Sequence, residues 1–318
     1  MSIPISRRLD FSEIPVIDLS RSASDMDSNG LVDSIRTACT NVGFFYVTGH
    51  GVDSQVLDQL IKQSRCFFNL PLGSRESIQL DQRMRGYLPL FYRSYEGESR
   101  AGTSHQEGFW IGHDRELDRQ IPLQGPNQWL EELPDFKLAM DAYFIQAETL
   151  SQKLLSLFST ALALSPNYLN GFFNNPTSRL KINHYPPQVN PENVNDIGVV
   201  PHSDSGCFTI LWQDKNGGLE IQNKAGDWVG APPIEGSFVV NIGNILQYWT
   251  NGLFSSTPHR VINRNGRDRY SIPLFVNPDF ETMIEPLFDS EQPDFEPFHY
   301  GKYQVDLWRN TFPIAKIP

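Results

Sequence analysis

Two positions apart, His202 and Asp204 offer an imidazole and a carboxylate, and His259 follows at 259 − 204 = 55 residues, directly after Pro258. On a β-strand, residues i and i+2 project from one face, so a strand here would aim the first pair at a single point. Two neighbouring ligands do not fix an ion, and His259, at the start of another strand-like run, is placed to be the third. Two histidines and one carboxylate on one side of a metal leave the other side open. That donor set suits a non-haem Fe(II) oxygenase, whose free positions take co-substrate and dioxygen. Zinc more often recruits three histidines or several cysteines. An H-x-D triplet by itself is a weak signal and equally suits a surface turn, so its surroundings must decide.

The elements that would position these groups lie in the second half of the chain. Strand-like runs occupy 179–185, 207–213, 219–222, 238–242, 259–262 and 269–276. Turn signals separate them, among them Asn216-Gly217-Gly218, Ala225-Gly226-Asp227 and Asn265-Gly266. Short strands about ten residues apart indicate a sandwich or barrel. Upstream the pattern is helical: 31–41, a helix capped by Asp53 and running to Phe68, and a long 3.6-period stretch over 136–164. Strand-like runs at 14–19 and 43–47 accompany them, and 83–112 reads as irregular. Helices lead and strands follow, so the expected fold is a single α+β domain over 1–318. Residues 1–170 supply N-terminal helices backing a jelly-roll core (a double-stranded β-helix) at 175–280, and 285–318 carry a helix near 300–308 that reads as lid or as packing.

The formal net charge is −11, with no basic stripe, which argues against nucleic acid and anionic membrane as partners and for a small-molecule substrate. Cys39, Cys66 and Cys207 form neither a zinc pattern nor a disulfide framework, so a reducing compartment is expected. Arg7 and Arg8 are not followed by an apolar stretch, and no run is long enough to span a bilayer. A cytoplasmic protein is the expectation; oligomeric state is not readable.

The wider pattern is more specific. Asn183-His184-Tyr185-Pro186-Pro187, His202-Ser203-Asp204, Leu211-Trp212-Gln213-Asp214 and Gly217-Gly218-Leu219 come in order. Val240-Asn241-Ile242-Gly243, Pro258-His259-Arg260-Val261 and Arg269-Tyr270-Ser271-Ile272-Pro273 follow. Ile14-Pro15-Val16-Ile17-Asp18, Gly43-Phe44-Phe45 with Gly49-His50-Gly51, and Arg85-Gly86-Tyr87 precede them. Over nearly its whole length the chain resembles the isopenicillin N synthase-like branch of the Fe(II)/2-oxoglutarate-dependent dioxygenases. The resemblance implies that His202, Asp204 and His259 are the iron ligands. It also implies that Arg269 and Ser271 (the R-x-S motif) hold the distal carboxylate of 2-oxoglutarate, with Asn183 and Tyr185 contacting the co-substrate. A guanidinium fork beside a hydroxyl suits a carboxylate, and on a strand the two residues share a face. The implied reaction consumes dioxygen and 2-oxoglutarate, releases succinate and carbon dioxide, and oxidises a C–H bond by hydroxylation, desaturation or ring closure. His184, Gln188 and Asn244 depart from the family's usual residues.

Alternatives stay open at this level. An oxidase of isopenicillin N synthase type needs no 2-oxo acid yet keeps R-x-S, and an ethylene-forming enzyme or a jelly-roll binding protein without turnover would share the scaffold. His184, pointing opposite to Asn183, reads as structural, and His50, His105, His113 and His299 have no assigned role. Phe91, Tyr92, Tyr95, Phe109, Trp110, Trp249 and Phe275 read chiefly as core, with a few as candidates for the substrate pocket.

Overall fold

A computed structural model of the chain describes residues 14–20, 28–90, 104–118, 121–187, 197–288 and 295–317. Phe91, Tyr92, Tyr95, Arg7, Arg8 and Gln188 lie outside the described residues. The first half holds β1 (Val16–Asp18), α1 (Ser28–Asn41), β2 (Phe44–Thr48), α2 (Ser54–Phe68), α3 (Leu72–Glu76), β3 (Gly86–Leu88), β4 (Glu107–Gly112) and α4 (Pro134–Ala161). The second half adds β5 (Arg179–Tyr185), β6 (Val199–His202), β7 (Phe208–Gln213), β8 (Leu219–Gln222), β9 (Trp228–Gly230) and β10 (Phe238–Ile242). Then come α5 (Asn244–Trp249), β11 (His259–Val261), β12 (Arg269–Val276), β13 (Met283–Ile284), β14 (Phe298–His299) and α6 (Tyr300–Thr311).

A major sheet in the order β1-β2-β10-β7-β12-β5-β4-β3 faces a minor sheet in the order β6-β11-β8-β9, the two layers of a jelly roll. Alternation along the strands explains how one sheet serves two cores. On β2, Phe45 and Val47 join the helix-side core with Ile182, Ile210, Val240 and Ile272. Their neighbours Phe44 and Tyr46 turn the other way and meet Val199, Leu219, Ile221 and Val261 of the minor sheet. A strand buried on both faces reads as an unbroken apolar run, which is the sequence of β2. Across the outer face lies α4, whose Phe136, Met140, Tyr143, Ala147, Leu150, Leu154 and Phe158 are buried at three- and four-residue spacing. Asp53 caps α2, its Oδ1 accepting from the Gln55 amide at 2.8 Å.

The stretch 83–112 is not wholly irregular: β3 and β4 extend the major sheet there, and β4 pairs with β5 through Trp110↔Lys181 and Gly108↔Asn183. Phe109 faces the helix-side core, whereas Trp110 stacks on Phe275 at 5.6 Å on the inner face. Trp249 is not a pocket residue; it packs on Phe172 and Phe173 in the helix-side core. Through Val305, Trp308 and Phe312, α6 packs beside Trp110. Among the described residues no helix is long and apolar enough to cross a membrane.

Candidate active site

His202, Asp204 and His259 meet between the two sheets, each offering a donor atom within 4.8 Å of the others. His259 sits opposite His202 across the β11–β6 pairing, which brings the rings to 4.3 Å between centroids. The Nδ1 atoms lie 2.9 Å from the Val200 carbonyl for His202 and 3.3 Å from the Thr257 carbonyl for His259. A proton on Nδ1 donated to those carbonyls leaves each Nε2 lone pair free, the tautomer a metal requires. Both Nε2 atoms face one carboxylate oxygen, Asp204 Oδ1, at 3.7 and 3.8 Å.

The carboxylate does not arrive as a strand geometry would have it. β6 ends at His202, and Asp204 lies in the turn beyond it. That turn is docked on the start of α5: the amides of Asn244 and Ile245 donate to the carbonyls of Asp204 and Gly206 at 2.8 and 3.0 Å. Gly243 approaches the Gly206 carbonyl so closely that any side chain would displace it. From the major sheet, Thr209 Oγ1 (2.5 Å) and Asn241 Nδ2 (2.7 Å) both donate to Asp204 Oδ2. The two oxygens therefore have separate tasks, Oδ2 held by the protein and Oδ1 turned toward the histidines. Burial raises the Asp204 pKa, but the His259 and His202 imidazoles and these two donors outweigh it and hold the carboxyl below its ordinary value. The side chain is thus ionised and able to ligate.

A second polar patch lies on the inner face of β12 and β5. Arg269 pairs in register with Tyr185, and Ser271 with Asn183. Arg269 is fully buried, its guanidinium 4.6 Å from the Tyr185 ring centroid. Its Nε donates to the Gly217 carbonyl, while Nη1 and Nη2 have no hydrogen-bond partner among the described residues. The acceptor is presented by the Gly217-Gly218 turn, where both residues have positive φ (68° and 94°). Asn183 Nδ2 donates to Ser271 Oγ at 3.3 Å, and Asn183 Oδ1 is also unpartnered. A buried guanidinium fork with two idle nitrogens is costly by itself and matches a carboxylate. The residues fit the co-substrate, and the His/Asp/His donor set fits ferrous iron.

His184 faces the other way. It stacks on Tyr270 at 4.7 Å and bridges Glu107 (2.8 Å) and Asp268 (2.9 Å), a structural post. Sequence reasoning missed Thr209 and Asn241, and also Lys181, which shares the inner face of β5 with Asn183 and lies 5.1 Å from the Trp110 ring centroid. Of the remaining histidines, His50 and His299 contact the Gly236 carbonyl and Glu281, and His113 lies 3.7 Å from Glu148.

The same fold recurs in known proteins. A model of the 2OG-Fe(II) oxygenase superfamily matches residues 176–278, and one for the N-terminal region of a non-haem dioxygenase in morphine synthesis matches 14–132. A homoarginine-6-hydroxylase of Glycine max is 34% identical, over 87% of this chain and 89% of that protein. The 2-oxoglutarate-dependent dioxygenase citB of Monascus ruber is 33% identical over 90% of each. Among solved structures, a full-length Neurospora crassa protein in complex with alpha-ketoglutarate (2-oxoglutarate) superposes with a TM-score of 0.84 at 26% identity, covering 93% of this chain and 96% of that one. JOX2 in complex with 2-oxoglutarate, Fe and JA gives 0.80 at 28% identity, covering 98% and 88%. With relatives one-third identical along most of its length and the superfamily's model lying over the strands that carry the site, the chain belongs to the 2OG-Fe(II) oxygenase superfamily.

Proposed function

We propose that His202, Asp204 and His259 hold one ferrous ion, that Arg269 and Ser271 with Asn183 and Tyr185 hold 2-oxoglutarate, and that the enzyme oxidises a C–H bond of a small organic molecule. Bound iron and its co-substrate supply the oxidising power, with 2-oxoglutarate leaving as succinate and carbon dioxide. The chain's own residues do the positioning. Thr209 and Asn241 fix Asp204 so that a single oxygen faces the ion. Arg269, held from behind by the Gly217 carbonyl, turns its two free nitrogens to the distal carboxylate. The apolar residues around Phe44, Tyr46 and Val239 keep bulk water from this end of the sheets. One relative is named for homoarginine hydroxylation, and similar structures hold thymine or are named for auxin oxidation, which supports a small prime substrate here.

The observation that carries the reading is the buried, unpaired fork of Arg269 on the sheet that also fixes the Asp204 carboxylate. An oxidase without 2-oxo acid keeps the same arginine, so the preference for the 2-oxoglutarate-dependent reaction draws on the relatives named as 2-oxoglutarate-dependent dioxygenases and the similar structure that holds 2-oxoglutarate. The cytoplasmic expectation rests on three unpaired cysteines, Cys39, Cys66 and Cys207. The test is a substrate-library screen for succinate release on addition of Fe(II) and 2-oxoglutarate, with product mass read for gained oxygen or lost hydrogens. Dioxygen uptake matched by succinate supports the proposal; uptake without succinate would favour the oxidase.

A further inference from the structure

Away from the triad, the major sheet carries a cluster of positive charge that the reaction does not use. Arg179 opens β5 six residues before Tyr185, about 20 Å along the strand. Arg85 precedes β3 and Arg115 follows β4, and with Arg179 they line a cavity of ≈ 10 Å³ whose walls include His113, Leu123 and Thr177. Arg85 and Arg179 are only 1% and 2% exposed. Their guanidinium groups converge over Gly112, where a Cβ would lie 2.5 Å from Arg85 Nη2 and 2.8 Å from Arg179 Nη1.

Asp81 and Asp114 attract Arg85, Asp279 and Glu148 attract Arg115, and Asp81 attracts Arg179, but none of these acids makes direct contact with these three guanidinium groups. The hydrogen bonds of all three arginines go to neutral backbone carbonyls: Arg85 to Arg83, Met84 and His113; Arg179 to Thr177, Ser178 and Leu123; Arg115 to Asn175 and Pro176. Among the described residues none forms an ion pair within 4.0 Å. The nearby acids are engaged elsewhere: Asp81 with Arg83, Asp114 with the Asn127 amide and Asp279 with the Asn175 amide. Burial pushes the Glu148 carboxyl up to about 7, and burial with the surrounding arginines brings His113 down to about 3, so its imidazole is neutral. The Nε atoms of Arg85 and Arg179 and His113 Nε2 are buried without hydrogen-bond partners among the described residues. Burial, then repulsion from Arg179, outweighs the attraction of Asp81 and Asp114 and pushes Arg85 below its ordinary value. Buried charges of one sign that carboxylates offset only from beyond contact distance are unfavourable.

We propose that this cavity is a binding site for a single-atom inorganic anion, chloride above all, which neutralises Arg85, Arg115 and Arg179 and ties the ends of β4 and β5 together. The space is close to that of one water-sized sphere, which favours a single-atom anion over phosphate, sulfate and organic carboxylates. The site is independent of the iron and co-substrate reading, since none of its residues belongs to that patch.

The experiment uses the full chain. Its thermal midpoint is measured in sodium chloride and in sodium gluconate at equal ionic strength, gluconate being too large for the cavity, and crystals are soaked in sodium bromide. The expected result is a saturable, chloride-specific rise in midpoint and an anomalous bromide peak in contact with Arg85 and Arg179. Arg115→Gln, at a partly exposed position, is expected to fold and to need about tenfold or more chloride for the same rise. Equal midpoints in the two salts would overturn the proposal, leaving the cavity to water. So would a bromide peak without a chloride response in solution, or an Arg115→Gln variant that responds like the parent.

Discussion

At Asp204 the work is divided between two atoms, Oδ2 accepting from Thr209 and Asn241 and Oδ1 facing both imidazoles. Thr209→Val or Asn241→Leu removes one donor while leaving all three ligands, so iron affinity is expected to fall about 10- to 100-fold. Competition with a chelator reads this directly, and an unchanged affinity would show that the donors do not position the carboxylate. Arg269→Ala leaves the iron site intact and is expected to weaken 2-oxoglutarate binding by about 2 to 5 kcal/mol, measured by calorimetry on the iron-loaded protein. Unaltered binding would remove Arg269 from the cradle. The spacing of His202, Asp204 and His259 was a weak signal by itself and became legible through the ordered motifs around it, from Asn183 to Pro273. Thr209 and Asn241 did not. Each sits in a run that reads as ordinary apolar strand, and their shared target depends on the Asn241↔Thr209 register, a long-range pairing.

Elements carry the next level of control. The Gly217-Gly218 turn presents the carbonyl that orients Arg269, and Gly218 has φ 94° with the Ile262 carbonyl 2.6 Å from where a Cβ would stand. Gly218→Ala is therefore expected to cost about 1 kcal/mol or more of stability and to raise the 2-oxoglutarate requirement with little change in iron binding. Denaturant unfolding and a co-substrate titration check the two parts. The long periodic α4, the capped α2 and the strands β5, β7, β8, β10, β11 and β12 could be read from sequence because each buries a regular face. β3, β6 and β9 could not, being three or four residues long and too short to show an alternation, even though β9 pairs with the adjacent β8 and β3 with the next strand β4. α5 escaped for a similar reason: it is six residues long and is held by the 204–206 turn rather than by its own periodicity.

For the molecule as a whole, the jelly roll places a dry polar site between sheets while α4 and its neighbours stabilise the outer face. That scaffold also buries Glu148, whose pKa of about 7 stands above its ordinary value of 4.5. The folded chain then keeps a proton that the unfolded chain has released, so this group lowers stability progressively as pH rises from about 4.5 to about 7 and adds no further slope above that. Relative to the parent, Glu148→Gln is expected to gain stability over that window, levelling off near 3 kcal/mol, an order-of-magnitude figure. Urea midpoints of both proteins at pH 5 and pH 8 check it; an equal difference at the two values would contradict the assignment. The measurement that bears most directly on the site is anaerobic iron loading followed by elemental analysis of the parent and of Asp204→Ala, with far-ultraviolet circular dichroism to confirm folding. One iron per parent chain and none retained by the folded variant is the expected result. A folded Asp204→Ala protein that keeps its iron would contradict it.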